Sequence, residues 1–407
     1  MTILSRETRR KQAKLLLRMG KAISEAGAPA HRLESSMDVL LKKFKMQGNF
    51  FSMPTALFAT LGDEDIQRTH MVRTQPHDID LAKISDLSDV ISRLEEDEIN
   101  IHDAYDEIKT INEAKPLYKT GLTIFAIGLA SASLAGLFQG SWMDVIVSLM
   151  MGWLTALIIV FSAKHDHLSL LFTPIAASVV GFSAMCISHF GESIDHFIVS
   201  LSGLIILVPG LGITTAIREL STGHLVSGSA RMAGAVTTFL LLSFGLALGF
   251  MVAIGIYGDV EIHKLASVPQ WFVYLSIFTI SSAFTVLFNA KMIDFIWILL
   301  TAFIAILGSK LAGIWLQSPF TSFAAVLAVS IAGNVFALIT KKPSSIMHIP
   351  GVMLLVPGSI GFKSLEAMLD NQTLDGIQTA FSALLVAVAL AVGLIAGNLF
   401  VPPRKAL

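Results

Sequence analysis

The sequence lacks several features of secreted proteins and soluble enzymes. Its 407 residues include one cysteine, Cys186, which excludes an intramolecular disulfide. Only 14% of the residues are charged, against about 25% in a typical soluble domain. The net charge of −1 provides no overall field that would attract nucleic acid. Seven Lys and Arg residues lie between positions 6 and 21 with no apolar run after them, so we expect no signal peptide.

Catalytic and nucleotide-binding motifs are also missing. The sequence has no Gly-x-x-x-x-Gly-Lys-Ser/Thr loop, which argues against a primary pump driven by ATP. It has no Gly-x-Ser-x-Gly elbow around a nucleophile. Four histidines of the N-terminal part lack metal-ligand spacing and are predicted to have surface or structural roles: His31, His70, His77 and His102. We therefore expect no cofactor, no metal and no enzymatic activity.

The charges that are present divide the chain into two parts. Residues 1–116 hold 17 Lys/Arg and 19 Asp/Glu, whereas residues 117–407 hold 12 and 11. Residues 1–116 are therefore predicted to be a soluble α+β domain. Its basic stretch 6–21 fits either anionic lipid headgroups or a solvated helix face. The predicted elements are helices at 6–26, 30–46, 79–94 and 101–111, and β structure at 49–61 paired with 67–74.

The remainder contains ten apolar segments, each long enough to cross about 30 Å of hydrocarbon. The fold prediction is a membrane all-α bundle of ten transmembrane helices, with five in residues 117–260 and five in residues 265–402. The segments lie near 120–138, 143–163, 168–190, 196–217, 231–257, 270–288, 292–312, 318–340, 347–365 and 376–400.

Positive charge in the connections alternates between the two sides of the membrane. Three cations fall on the far side: Lys264, Lys310 and Lys363. Because cytoplasmic connections carry the excess of Lys and Arg, both termini are predicted to be cytoplasmic. Ten cations fall on the side of the N-terminus: Lys115, Lys119, Lys164, Arg218, Arg231, Lys291, Lys341, Lys342, Arg404 and Lys405.

The two halves resemble each other. Residues 207–210, Leu-Val-Pro-Gly, recur at 355–358, and the same offset of 148 relates Phe172 to Phe320 and Gly245 to Gly393. Since each half has five spans, an odd number, the second half must cross the membrane in the opposite sense. The pattern predicts two inverted five-helix repeats, the plan of many secondary transporters.

The Pro-Gly pairs carry the functional prediction. Proline removes a backbone donor and glycine tolerates unusual dihedrals, so both helices are predicted to break and to expose backbone groups to a substrate. A simple proline kink is the alternative. Candidate substrate-binding residues are Pro209, Gly210, Thr214, Thr215, Pro357, Gly358, Ser359, Asn334 and Asn398.

Charged residues near the membrane are candidates for binding charge or for proton coupling. Interfacial snorkelling of the long side chains is the alternative role, as helix–helix hydrogen bonding is for Asn334 and Asn398. The candidates are Arg218, Glu366, Lys363, Asp144, Asp294 and His224.

Taken together, these segments resemble the threonine/serine exporter family over nearly the whole chain. The resemblance rests on residues 25–32 (Glu-Ala-Gly-Ala-Pro-Ala-His-Arg), 54–58 (Pro-Thr-Ala-Leu-Phe), both Leu-Val-Pro-Gly motifs, Arg218 with Gly223-His224-Leu225, and Gly397-Asn398 before Pro402-Pro403-Arg404. It implies a bacterial inner-membrane protein that exports threonine and serine, driven by the proton motive force. Related two-polypeptide systems are associated with succinate export, which is the alternative substrate.

Two other classes remain open at this stage, a membrane-embedded enzyme and a passive channel or signalling protein. The expected partners are a small amino acid or dicarboxylate, protons and the lipid bilayer, without nucleic acid. Oligomeric state is left open, a homo-oligomer included.

Overall fold

The computed structural model describes residues 6–62, 67–75, 78–190, 194–258, 265–356, 358–369 and 372–402. The N-terminal part alternates amphipathic helices with a small sheet. Its elements are α1 (Arg6–Glu25), α2 (Ala30–Lys43), β1 (Gln47–Met53), β2 (Ala56–Gly62), β3 (Gln67–Arg73), α3 (Leu81–Glu95) and α4 (Ile101–Glu113).

The sheet is antiparallel in the order β1-β2-β3. Phe50 pairs with Ala59, and Leu57 pairs with Val72. The segment 49–61, predicted as continuous β structure, is instead two strands. Two residues, Pro54 and Thr55, turn the chain between them, because proline fixes its φ angle and cannot donate to a sheet ladder.

Apolar side chains of α1 and α2 pack onto one face of this sheet. Leu16, Met19, Leu33 and Leu57 are fully buried there. Burying one such side chain stabilises the fold by about 1.5–3 kcal/mol. The N-terminus of α2 is held differently from that of α3: Asp80 caps α3, but Pro29 before α2 supplies no side-chain cap.

The rest of the described chain is helical. Two 3₁₀ turns, Ile205–Leu207 and Met292–Asp294, accompany the α-helices. These are α5 (Thr120–Leu137), α6 (Trp142–Ser162), α7 (Asp166–Ser169), α8 (Phe172–Phe190), α9 (His196–Gly203), α10 (Gly210–Ser221), α11 (Leu225–Tyr257), α12 (Gln270–Leu287), α13 (Phe295–Ala312), α14 (Phe320–Thr340), α15 (Ser345–Leu355), α16 (Gly358–Leu369) and α17 (Thr373–Phe400).

Within the described ranges, nine helical segments are long and apolar enough to cross a membrane. The number is ten if His196–Gly203 and Ile205–Ser221 are counted as one span bent by 54°. Large apolar side chains such as Leu240, Phe244 and Met251 are exposed on α11, as expected of a helix that faces lipid. The protein is therefore a mostly helical membrane protein, and the count of ten depends on the bent segment.

The helix boundaries of the two halves follow one another closely. Helices α10 and α16 begin at residues 210 and 358, and α11 and α17 begin at 225 and 373, an offset of 148 in both cases. Two glycines at the same offset allow close helix packing: Gly245 lies against the Pro174 carbonyl, and Gly393 lies against Phe323. The starts of these helices therefore keep the spacing that the sequence repeat predicts.

The N-terminal part packs against the connections at one end of the membrane helices. The backbone N–H groups of Leu81 and Ala82 donate to the carbonyls of Phe288 and Asn289. The Asn289 side chain donates to Asp80 at 2.7 Å. The contacts fix the first turn of α3 on the connection between α12 and α13.

Candidate functional site

Both Leu-Val-Pro-Gly segments interrupt their helices. The first helix stops at Leu207, Val208 is extended, Pro209 occupies the N-cap, and α10 starts at Gly210 without a side-chain cap. The second stops at Leu355, Val356 is extended, and α16 starts at Gly358. Pro357 lies outside the described residues. The first predicted interruption is therefore present, and the second is present in the described residues on either side of Pro357.

The two interruptions touch one another. A methyl group added at Gly210 would overlap Cγ1 of Val356. One added at Gly358 would come within 2.8 Å of Cγ1 of Val208. The contacts are reciprocal under the 148 offset, which maps 208 to 356 and 210 to 358. We call this place the crossing, defined by residues 207–210 and the described residues of 355–358.

A cavity of about 80 Å³ lies beside the crossing. Its lining pairs corresponding residues of the two halves, for example Ile205 with Met353 and Val208 with Val356. Ala130 of α5 and Ile280 of α12 close it on another side, and Ser359 contributes a hydroxyl to a largely apolar wall. Of the predicted residues, Gly358 and Ser359 therefore border the cavity.

The threonines after the first interruption face different surroundings. Thr214 is buried, and its hydroxyl donates to the Gly210 carbonyl at 3.2 Å, within α10. Thr215 is half-buried. Neither residue is among those lining the cavity.

The two asparagines bind each other away from the crossing. Nδ2 of Asn334 donates to Oδ1 of Asn398 at 2.9 Å and to the Val401 carbonyl at 2.7 Å. Asn334 is fully buried. The geometry matches the alternative role, a hydrogen bond between helices α14 and α17.

A second polar region forms where α2 meets α10 and α11. The Glu219 carboxylate is fully buried and accepts from the Ala30 backbone N–H at 2.9 Å and from the Ser227 hydroxyl at 2.8 Å. It also pairs with Nε of Arg231 at 3.0 Å. Glu219 therefore caps helix α2 from the membrane part of the chain.

His224 makes a parallel link between the two parts. Its Nε2 lies 3.1 Å from Oε2 of Glu34, whose Oε1 accepts from the Ser52 backbone N–H at 2.8 Å. Nδ1 of His224 lies 3.1 Å from the Thr222 hydroxyl. The link joins α2 and β1 to the start of α11.

Arg218 lies in the same region, but unlike Glu219 it forms no ion pair with a described residue. Its side chain is 8% exposed, and its Nε is buried without a partner in the described part of the chain. Arg32, whose Nη2 donates to Ser344 at 3.3 Å, and the buried His348 are close enough to interact with it electrostatically. Both ring nitrogens of His31 are buried there, again without a partner among the described residues.

Burial lowers the pKa values of His31 and Arg32 in this region, and neighbouring positive charges lower that of His31 further. Burial, followed by the charges of Arg218, Arg32, His224 and Arg231, lowers the pKa of His31 to about 2. Burial lowers the pKa of Arg32 to about 10. His31 is therefore neutral at physiological pH. Of the surface or structural roles predicted for His31, its buried ring nitrogens fit a structural one.

The remaining predicted charges are separated from one another. Asp144 is buried in a capping box with Ser141 and accepts from the Asp195 N–H at 2.7 Å. Asp294 is buried and forms an ion pair with Lys342. Their proposed roles in coupling stay predictions.

The two charges predicted on α16 have little support from the structure. Lys363 is exposed, with Nζ 6.0 Å from the Phe197 ring centre. The Glu366 side chain lies outside the described residues. Across the part of the chain that is described, no three His, Cys, Asp or Glu side chains are grouped to hold a metal.

Comparison with family models decides the affiliation. The model "Putative threonine/serine exporter" matches residues 14–253, more than half of the chain. The chain belongs to the threonine/serine exporter family. A second model, "Threonine/Serine exporter, ThrE", matches residues 272–400, so one polypeptide carries both parts of this exporter family.

Curated relatives of this family member include yeast proteins. Pheromone-regulated membrane protein 10 of Debaryomyces hansenii is 27% identical over 96% of this chain and 42% of its own length. The protein of the same name from Eremothecium gossypii is 26% identical over 96% of this chain and 56% of its own length. The chain thus spans about half the length of these relatives. No solved structure matches it.

Sequence reasoning missed most of the polar region of this exporter-family protein. Arg32, Glu34, Glu219 and Arg231 are not among the predicted site residues. Their local spacing carries no recognisable pattern. The one available signal was that residues 25–32 and 223–225 both contributed to the family resemblance.

Proposed function

We propose that the protein is a secondary exporter of small hydrophilic metabolites, most simply threonine and serine, and that substrate crosses the membrane at the crossing. Membership of an exporter family supports transport in general. The observation that carries the specific proposal is the reciprocal contact of the two interrupted helices beside a shared cavity.

Reciprocal contacts support an inverted repeat. When residue i of one unit touches residue j of the other and j in turn touches i, the units are related by a two-fold axis. The pairs Gly210–Val356 and Gly358–Val208 have this property. With five spans in each half, such an axis must lie in the membrane plane, as in transporters built from inverted repeats.

The interrupted helices supply polar groups where the side chains do not. The first N–H groups of α10 and α16 have no partner within their own helices and carry partial positive charge, which suits a carboxylate. Carbonyls at the ends of the preceding segments suit an ammonium group. An amino acid carries both charges, which favours threonine or serine over succinate, the alternative substrate.

Proton coupling and orientation belong to the same proposal. The N-terminal part packs on the connection that carries Lys291, which forms an ion pair with Asp86, and beside Ser344 near Lys342. These are connections that the charge count assigns to the cytoplasm, which supports cytoplasmic termini; the bacterial inner membrane is proposed from the family resemblance alone. Asp144 and Asp294 are engaged in structural bonds, so coupling through either requires those bonds to open.

Counterflow in proteoliposomes tests the function. Vesicles loaded with unlabelled serine should accumulate radiolabelled serine or threonine, and succinate-loaded vesicles should do so less. An imposed pH gradient should drive uphill flux. Absence of saturable exchange would indicate a channel, chemical conversion of serine would indicate an enzyme, and flux that ignores the gradient would overturn proton coupling.

A further inference from the structure

Arg218 is a buried cation that no anion of the described residues neutralises. Its side chain is 8% exposed, and none of the carboxylates in the described ranges forms an ion pair with it. Transfer of an unpaired charge from water into a protein interior is strongly unfavourable. Such a residue therefore destabilises the fold unless something outside the described chain compensates it.

The two nearby carboxylates are already bound. Glu219 holds Arg231, the Ser227 hydroxyl and the Ala30 N–H. Glu34 holds the Ser52 N–H and faces His224. Each is engaged with these other partners, and neither forms an ion pair with Arg218 in the described part of the chain.

The other neighbours add positive charge or hydrogen-bond donors. Arg32 and His31 of α2 interact electrostatically with Arg218, and the hydrogen bond from Ala30 to Glu219 places the start of α2 beside the residue that follows Arg218. His348 of α15 lies on the membrane side, with Nε2 3.1 Å from the Ser330 carbonyl. The region thus collects guanidinium and imidazole groups from three helices, and Nε of Arg218 has no hydrogen-bond partner among the described residues.

We propose that Arg218, with Arg32 and His31 from the N-terminal part, forms a carboxylate-binding site at the boundary between α2 and α10. A guanidinium presents a planar fork of donors that matches a carboxylate in a bidentate arrangement. The occupant is the carboxylate of a small solute, either an amino acid or a dicarboxylate. The inference deepens the proposed function and rests on it for the identity of the solute.

The site is separate from the cavity at the crossing. Arg218 lies eight residues after Gly210 in α10, which is about 12 Å along the helix axis. The guanidinium lies at the end of α10 that touches the N-terminal part, whereas the cavity lies at its start. A carboxylate bound at Arg218 is therefore held before it reaches the crossing, on the side that export loads.

Equilibrium binding to the purified full-length chain in detergent tests the site. The probes are radiolabelled L-serine and succinate, with ethanolamine, which is serine without its carboxylate, as the chemical control. Arg218→Gln should weaken binding of the carboxylate probe about 10- to 100-fold, the loss typical of a charged hydrogen bond. The affinity of Arg218→Lys should lie between those of the parent and of Arg218→Gln. Arg93→Gln, which removes an ion pair with Glu107, should bind the probe with the affinity of the parent.

Thermal unfolding separates this role from a structural one. Without ligand, Arg218→Gln should unfold at the same temperature as the parent or higher, because it removes an unpaired buried charge. Sodium acetate, compared with sodium chloride at equal ionic strength, should stabilise the parent and not the variant. A variant that unfolds earlier and keeps the affinity of the parent would overturn the proposal.

Failure of the site and failure of the transport function give different results. If the parent exchanges serine in liposomes and Arg218→Gln does so with unchanged KM, the site is wrong and the exporter stands. If neither serine nor succinate is exchanged but acetate stabilisation still depends on Arg218, the site stands and the transport proposal is wrong.

Discussion

Gly210→Ala should disrupt the crossing more than any other single methyl addition in this region. The new Cβ would overlap Cγ1 of Val356, well inside van der Waals contact. Added atoms in a packed interior typically cost about 1–3 kcal/mol. Relief requires either an unfavourable rotation of the Val356 side chain or separation of the two interruptions, so we expect lower thermal stability and a loss of counterflow.

A second substitution should restore the parent behaviour. Val356→Ala removes Cγ1 and leaves Cβ of residue 356 at 3.3 Å and the Gly358 nitrogen at 3.8 Å from the new methyl group. The double variant Gly210→Ala/Val356→Ala should therefore be more stable than the sum of the single effects predicts. Coupling of contacting residues is usually about 0.5–3 kcal/mol.

The corresponding pair in the other half provides a graded comparison. Gly358→Ala brings its methyl group to 2.8 Å from Cγ1 of Val208, a milder conflict, so its effect should be smaller and Val208→Ala should relieve it. Gly234→Ala is the matched control, because a methyl group there meets nothing within 4 Å. In a helix this exchange should be neutral or stabilising by up to about 1 kcal/mol.

Detergent-solubilised protein provides the unfolding temperature and proteoliposomes provide the counterflow rate. If Gly210→Ala unfolds and exchanges substrate like Gly234→Ala, the close contact does not exist in the working protein. Failure of Val356→Ala to relieve the defect would equally contradict a close contact between residues 210 and 356.

Three further expectations concern residues outside the crossing. His31→Gln should flatten the pH dependence of stability. The lowered pKa of His31 means that only the unfolded chain takes up its proton between pH 6.5 and about 2, so the stability of the parent should fall with falling pH by up to about 1.4 kcal/mol per unit. Unfolding scans of both proteins at pH 5 to 8 would show this difference in slope. Asn334→Ala should cost about 1–3 kcal/mol of stability and leave substrate affinity unchanged, since it removes the amide that links α14 to α17; a selective loss of affinity in binding assays would contradict this. In a Cys186→Ala background, impermeant maleimide should label Ser267→Cys in intact cells and Lys341→Cys only after permeabilisation, and the opposite pattern would refute the topology.

Local sequence chemistry was enough to predict the elements that a single segment determines. The interruptions at 209 and 356 follow from Pro-Gly pairs within apolar helices, which act on the backbone wherever the helix packs. The four helices before residue 114 follow from apolar spacing. Pro54, a proline inside a β-rich segment, indicates the turn between β1 and β2, which the prediction of β structure over 49–61 did not include.

Contacts between distant segments were beyond the same reasoning. Ala30 and Glu219 are separated by 189 residues, and neither has local spacing that indicates the other. Buried Arg218 looks like an interfacial side chain in the sequence, because only the tertiary fold places α2 over it. Asp144 did carry a usable pattern, since Ser-x-x-Asp at 141–144 is a capping box.

The bond between Ala30 and Glu219 also has a consequence for the order of assembly. Pro29 leaves the first turn of α2 without a side-chain cap, and the carboxylate that completes it is synthesised 189 residues later. At about 5–20 residues per second, this is a delay on the order of 10 to 40 s. During that interval the start of α2 lacks this cap and remains open to water. The cap of α2 therefore forms only after α10 has been synthesised and has packed against the N-terminal part.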